Sequence, residues 1–148
     1  MKPVAQTKFR DDHGEGNSLQ ACLASIFERP LDTVPHFRIV DNWWDALQEW
    51  LQGEYGVWLL PVETDRPPLS FKHGPLGWHM IVGMTAHGRH VVVGHNGYEV
   101  HDPHPDGEGL LTVEKYYVFV RTFEGGPTPF DTQHDYPIAL QGLSHENR

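Results

Sequence analysis

The chain has 148 residues, of which 39% are hydrophobic and 21% charged, a composition typical of one globular domain that buries its own core. Its formal net charge is -9 and its Lys and Arg are scattered, which argues against a nucleic-acid partner and favours a neutral or basic one. Cys22 is the only cysteine, so no internal disulfide can form, and no apolar stretch is long enough to cross a membrane. We therefore expect a single domain over residues 1–148 that is soluble and cytoplasmic.

Two helices are predicted in the first part of the chain. In the segment SLQACLASIFERP, apolar residues recur at three- and four-residue steps, which predicts a helix over about 18–28 that the following proline ends. In DNWWDALQEWLQGEYG, a second helix can begin after Asp41 or Asn42. It can end at Gly53 or Gly56, because glycine readily adopts the conformation that closes a helix.

The second helix carries a stripe of large apolar side chains at helical spacing, namely Trp43, Leu47, Trp50 and Leu51. Core packing is the ordinary role of such a stripe, and a substrate groove is the alternative. Trp43, Trp44 and Trp78, together with Phe71, are the candidates for substrate contact, with core packing as the competing role.

The pattern then changes to that of strands. Five segments have the alternation and β-branched composition of strands: 57–62, 77–84, 89–95, 98–101 and 116–122. Asn96–Gly97 predicts a tight hairpin, because both residues tolerate positive φ. The segment ETDRPPLSFKHGP and the tail from about residue 124 are rich in turn formers and are expected to be loops. Helices followed by strands predict an α+β domain, with the helices on one side of a largely antiparallel sheet.

Ser18 follows the Gly-rich turn HGEGN and lies at the start of the first helix. A side chain there sits in the positive field of the helix dipole, beside backbone N–H groups that have no helical partner. Such a place lowers the pKa of a thiol nucleophile and suits a developing oxyanion. The alternative is that Ser18, like Asn17, only caps the helix, the commonest role of these residues at this position.

The order Gln6, HGEGN and Ser18, followed by His90 in RHVVVGH and Asp102 in HDPHP, resembles the small papain-like cysteine peptidase domains of phage and bacterial genomes. Those domains carry a GNC…ACLAS helix and an HDPHP element. The resemblance covers roughly residues 6–110. It implies a papain-like fold in which an N-terminal helix bearing the nucleophile position packs on an antiparallel sheet.

The resemblance also implies a catalytic triad and a reaction. Residue 18 attacks the substrate carbonyl, His90 transfers the proton, and Asp102 holds the imidazole in the required tautomer. Gln6 would complete the oxyanion hole with the backbone N–H of residue 18, although its spacing of twelve residues is longer than in papain. The implied activity is hydrolysis of a peptide, isopeptide or related amide bond, with no cofactor.

The register of the hairpin tests this pairing. If a regular two-residue turn at Asn96–Gly97 continued to Asp102, then Asp102 and His90 would point to opposite faces of the sheet. One extra residue reverses this result. We therefore predict a bulged turn, or a kink in the strand before Pro103.

Ser18 departs from the family pattern, because a hydroxyl is far harder to deprotonate than a thiol. Three explanations stay open: an engineered Cys-to-Ser change that inactivates the protein, a natural pseudoenzyme that binds a peptide or protein tail, or a true serine hydrolase. Cys22 lies one turn further along the helix and is expected to be buried and inert.

A metal hydrolase is the remaining alternative, because the chain has eleven histidines. Two groups of side chains could ligate a metal: His87 with His90, and His101 with Asp102 and His104. No HExxH motif is present and the spacings are not specific, so no metal is expected. His79, at the margin of a predicted strand, is interpreted as structural.

Overall fold

Two α-helices precede the sheet in the computed structural model, which describes residues 1–9, 15–64, 75–123 and 126–128. The helices are α1 (Ser18–Ile26) and α2 (Trp43–Tyr55), and short 3-10 helices span Leu31–Thr33 and Phe37–Ile39. Both predicted helices are confirmed. Helix α1 ends two residues before the expected 28, where Glu28 turns to a positive φ of 55°, and α2 ends at Gly56 with φ 64°. Neither helix of the described chain is long and apolar enough to cross a membrane.

Every strand pair in the sheet is antiparallel. The strands are β1 (Val57–Glu63), β2 (Trp78–Thr85), β3 (Gly88–His95), β4 (Tyr98–His101), β5 (Thr112–Phe123) and β6 (Gly126–Thr128). Their order is β1-β5-β2-β3-β4, and β6 pairs with the end of β5. The domain is therefore α+β with a largely antiparallel sheet, as predicted.

Two boundaries differ from the prediction. Strand β5 begins at Thr112, four residues before the expected 116. Residues 126–128 form a strand although the tail from about 124 was expected to be loop. This short strand is held by backbone pairing with residues 121–123. Such pairing does not require alternating apolar and polar side chains, so the sequence pattern did not reveal it. Residues 129–148, which belong to the same expected loop, lie outside the described residues.

The main core lies between the helices and one face of the sheet. Helix α1 packs on β3, and α2 packs on β1. Alternate residues of β1, β2, β3 and β5 face this core, namely Leu59, Met80, Val82, Val91, Val93 and Phe119. Leu23 and Ile26 of α1, and Leu47 and Leu51 of α2, fill it from the other side. This packing brings the first turn of α1 close to β3 and so positions the candidate site.

His79 lies on the opposite face of the sheet and is fully buried. Its Nε2 accepts a hydrogen bond of 3.0 Å from the backbone N–H of Gly97. The imidazole occupies the space that a side chain would need at Gly94, its cross-strand partner. His79 therefore clamps the β3–β4 hairpin, which agrees with its interpretation as a structural residue.

The burial of His79 predicts that the fold loses stability in mild acid. Burial lowers its pKa from 6.5 to about 4. The unfolded chain therefore binds more protons between these values, so the stabilisation by the neutral ring is complete above about pH 6.5 and is lost towards pH 4. Between about pH 7.5 and about pH 5, the free energy of unfolding should fall by about 2 kcal/mol more in the parent chain than in His79→Gln, measured by urea denaturation.

His87→Gln is the matched control, since His87 is exposed in the β2–β3 turn. Its pH dependence should follow that of the parent chain within about 0.5 kcal/mol. Equal pH dependence in the parent and in His79→Gln would show that His79 does not titrate as described.

Candidate functional site

The hairpin of β3 and β4 contains the irregularity that the sequence predicted. The turn at Asn96–Gly97 is a tight two-residue turn with φ of 54° and 88°. Beyond it, Gly94 pairs with Glu99 but Val93 pairs with His101, so β4 holds one extra residue between these pairs. The bulge therefore lies in the strand before Asp102 and not in the turn itself.

His90 and Asp102 are in direct contact. Nε2 of His90 lies 2.6 Å from Oδ1 of Asp102, and both side chains are buried, with exposed fractions of 9% and 4%. Asp102 also accepts backbone N–H bonds of 2.9 Å from His104 and from Gly109. Burial alone would raise the pKa of Asp102, but these hydrogen bonds together lower it below its ordinary value. The carboxylate is therefore ionised at neutral pH and holds His90 by its Nε2 atom.

Ser18 is the first residue of α1 and lines a pocket of about 440 Å³ together with Gln6, His90 and Asp102. The side chain of Asn17, the residue before the helix, makes no capping hydrogen bond. Neither the hydroxyl nor the N–H of Ser18 bonds to another residue in the described part of the chain, and no hydrogen bond joins Ser18 to His90. These contacts therefore do not support a capping role for Ser18.

Asn17 instead positions the N-terminal segment. Its Oδ1 accepts hydrogen bonds from the backbone N–H groups of Thr7 (3.0 Å) and Lys8 (2.7 Å). On its other side the segment is held by the backbone N–H of Gln6, which donates to the carbonyl of Pro103 at 2.9 Å. The Gln6 amide is buried; its Nε2 donates to the Lys8 carbonyl, and its Oε1 has no partner. Gln6 thus reaches the pocket from a segment held at both edges.

The three candidate substrate-contact tryptophans lie in different places. Trp43 lines the pocket. Trp44 meets Trp43 edge-on with ring centroids 5.5 Å apart and is not part of the lining. Trp78 packs against His95 at the opposite end of β2 from the pocket, with ring centroids 4.3 Å apart. Phe71 lies outside the described residues.

Cys22 lies in the core and not in the pocket. It is fully buried, and its Sγ donates a 3.4 Å hydrogen bond to the carbonyl of Val91. Burial is the largest cause that raises the pKa of the thiol, and the charges of Asp102 and Glu99 add to it. A thiol in this state is a poor nucleophile, which agrees with the expectation that Cys22 is inert.

Within residues 1–9, 15–64, 75–123 and 126–128, no three His, Cys, Asp or Glu side chains are grouped as metal ligands. His101, one of the residues considered for such a role, places its Nε2 2.9 Å from the Val4 carbonyl. It therefore helps to hold the N-terminal segment against β4.

The sequence analysis missed the groups that hold His90 and Asp102 in place. The backbone N–H of Gly109 reaches Asp102 from a residue with φ 77°, a conformation that favours glycine. The only signal in the sequence was the turn-forming run DGEG. Asn17 was considered only as a cap, because its acceptor oxygen can serve the helix or another segment equally well.

Asp102→Asn should destabilise the fold by about 2 kcal/mol. The amide has one acceptor oxygen in place of two, so it cannot satisfy all three donors that face Asp102. The measurement is urea denaturation at neutral pH, with the exposed Asp41→Asn as the matched control, expected within about 0.5 kcal/mol of the parent chain. Equal losses in the two variants would contradict this account of Asp102.

No protein-family model, curated protein or solved structure matches the chain at the level that would show a family. The geometry of the site is therefore the remaining guide to its function. That geometry combines a polar side chain at a helix N-terminus, a hydrogen-bonded His and Asp pair, and a pocket that all three line.

Proposed function

We propose that this chain has the fold and site of a papain-like thiol hydrolase that acts on a peptide, isopeptide or related amide bond, with Ser18 at the position of the nucleophilic cysteine. The single observation that supports this most is the 2.6 Å hydrogen bond between His90 and Asp102, in a pocket that Ser18 also lines. A buried base that is oriented by a carboxylate beside a helix N-terminus is the arrangement that acyl transfer requires.

The fold supports the same proposal. Helix α1 packs directly on β3, the strand that carries His90. The start of a helix and a central strand of an antiparallel sheet therefore supply the two reacting groups, and β4 continues into the segment that supplies Asp102. This is the division of roles that the resemblance to papain-like domains implies.

The proposed mechanism follows from which ring nitrogen of His90 is hydrogen-bonded to Asp102. Asp102 engages Nε2 of His90, so Nδ1 is the nitrogen that takes the proton of residue 18 as that residue attacks the substrate carbonyl. His90 then returns this proton to the leaving amine, and a water molecule hydrolyses the acyl intermediate. The backbone N–H of residue 18 and the second N–H of the Gln6 amide would stabilise the oxyanion.

The serine hydroxyl limits this chemistry. A thiol of pKa about 8.5 is ionised by a neighbouring imidazole much more easily than a hydroxyl is. We therefore infer that the chain as written is an inactivated form of a cysteine enzyme, whether serine was introduced or arose naturally. We also propose a cytoplasmic setting, since reducing conditions keep a catalytic thiol free.

A second candidate function is a binding module that kept the pocket and lost the chemistry. The observation that favours it is that no hydrogen bond joins Ser18 to His90 among the described contacts, while a pocket of about 440 Å³ remains available to a peptide. Serine in the source gene, together with no activity after Ser18→Cys, would favour this candidate.

Ser18→Cys tests the proposed function. This variant should react with the neutral thiol reagent iodoacetamide, and it should hydrolyse peptide amide substrates that the parent chain leaves intact. His90→Ala in the same background should lower the alkylation rate at neutral pH about a hundredfold, because the thiolate loses its base. Peptide mapping by mass spectrometry identifies the modified cysteine.

Two controls accompany this experiment. The parent chain contains only the buried Cys22 and should remain unlabelled. Glu49→Ala changes an exposed residue of α2 that does not line the pocket, and it should leave the rate of Ser18→Cys unchanged within about twofold. A Ser18→Cys variant that stays inert while Cys22 becomes labelled would refute the assignment of residue 18.

A further inference from the structure

The wall of the pocket formed by β5 and the segment before α2 carries positive charge, although the chain as a whole is acidic. Arg38 and Lys115 line this wall together with the phenol of Tyr117 and the indole of Trp43. Net charge describes the average surface, whereas a ligand in a pocket responds to the groups that face it. The net charge of the chain predicts a basic or neutral partner, but this wall of the pocket can bind a negatively charged group.

Arg38 has hydrogen-bonding capacity that the described protein does not use. Its guanidinium lies over the ring of Trp43, with 4.6 Å from its central carbon to the ring centroid. Its Nε is buried without a hydrogen-bond partner. Its ion pair with Glu15 is long, at 3.8 Å. Stacking on an aromatic ring orients a guanidinium and leaves its edge available for a carboxylate.

Tyr117 is a second, independent sign of a ligand. The residue is only 7% exposed, it lines the pocket, and its hydroxyl makes no hydrogen bond within the described chain. Burial raises the pKa of this phenol, while the charges of Arg38 and Arg89 act in the opposite direction. A neutral hydroxyl near a guanidinium can donate a hydrogen bond to an anionic acceptor.

Apart from Glu108, the other charged side chains that line the pocket have partners in the described chain. Arg89 binds Glu114 through two hydrogen bonds of 3.1 and 3.0 Å. On the opposite side, Asp102 is held by His90, and Asp106 lies 3.0 Å from Nδ1 of His104. Lys115 makes only a long contact of 3.8 Å with exposed Glu63 among the described ion pairs. The available positive charge is therefore concentrated at Arg38 and Lys115.

We propose that Arg38, Lys115 and Tyr117 form a subsite that binds a carboxylate of the substrate, supplied by an acidic side chain or by a free peptide C-terminus. The subsite lies in the same pocket as Ser18. It rests on the proposed function in one respect, namely that the amide bond to be cleaved would be placed beside residue 18. It narrows the substrate class from peptides in general to peptides with a carboxylate near the reacting amide.

Three short peptides test the subsite in the parent chain, where Ser18 prevents turnover. Acetyl-Ala-Glu-Ala-amide offers an acidic side chain, acetyl-Ala-Ala-Ala with a free carboxyl group offers a C-terminus, and acetyl-Ala-Gln-Ala-amide offers neither. NMR chemical-shift titration at low ionic strength measures each dissociation constant. At least one carboxylate peptide should bind about tenfold more tightly than the glutamine peptide, and the tighter of the two identifies the source of the carboxylate.

Substitutions of the three proposed residues test whether the carboxylate peptide binds at this subsite. Arg38→Gln should weaken binding of the carboxylate peptide about tenfold, and Lys115→Gln and Tyr117→Phe about threefold each, with no change for the glutamine peptide. Lys2→Gln removes an exposed positive charge outside the pocket and is the matched control, expected to change nothing. Equal affinity for all three peptides would overturn the subsite, as would unchanged affinity in both Arg38→Gln and Tyr117→Phe.

The Ser18→Cys variant separates this proposal from the proposed function. If Cys at position 18 reacts with iodoacetamide in a His90-dependent manner but the peptides show no carboxylate preference, the subsite fails and the enzyme assignment stands. If the thiol is inert but the carboxylate preference depends on Arg38, the subsite stands and the chain is a binding module.

Discussion

The extra residue in β4 is the constraint on which the candidate site depends. Without it, the strict alternation of side chains along paired strands would place His90 and Asp102 on opposite faces of the sheet. The register shift after Gly94 removes this conflict at the cost of an irregular ladder. Pro103 follows at once and has no N–H to donate, so the regular strand ends where the aspartate is needed.

Backbone N–H groups hold both functional edges of the pocket. Asp102 accepts two of them from the loop that follows β4, and Asn17 accepts two from the N-terminal segment. Each bond is partly buried, so the same contacts stabilise the fold and orient the site. The geometry of the pocket therefore depends on these loop hydrogen bonds as well as on the strands.

Much of this structure could be predicted from the sequence where local pattern decides the outcome. The helical spacing of Leu19 and Leu23 gave α1, and Asn96–Gly97 gave the hairpin. Alternation of side chains along the strands required a bulge, but no local pattern shows where in β4 it lies. The contacts of Asn17 and Arg38 could not be predicted for a similar reason, because tertiary structure decides which of several possible partners a polar side chain takes. The papain-like roles came from resemblance and stay proposals.

The attachment of the N-terminal segment has a consequence for the order of folding. His101 holds the carbonyl of Val4 across a separation of 97 residues, and Gln6 bonds to Pro103 over a similar span. Contacts this distant in the chain form late, because a long loop must close before they stabilise anything. During synthesis, residue 18 would leave the ribosome well before His90 and Asp102. The pocket that these three residues line would therefore form only after β3 and the segment that follows β4 had been made.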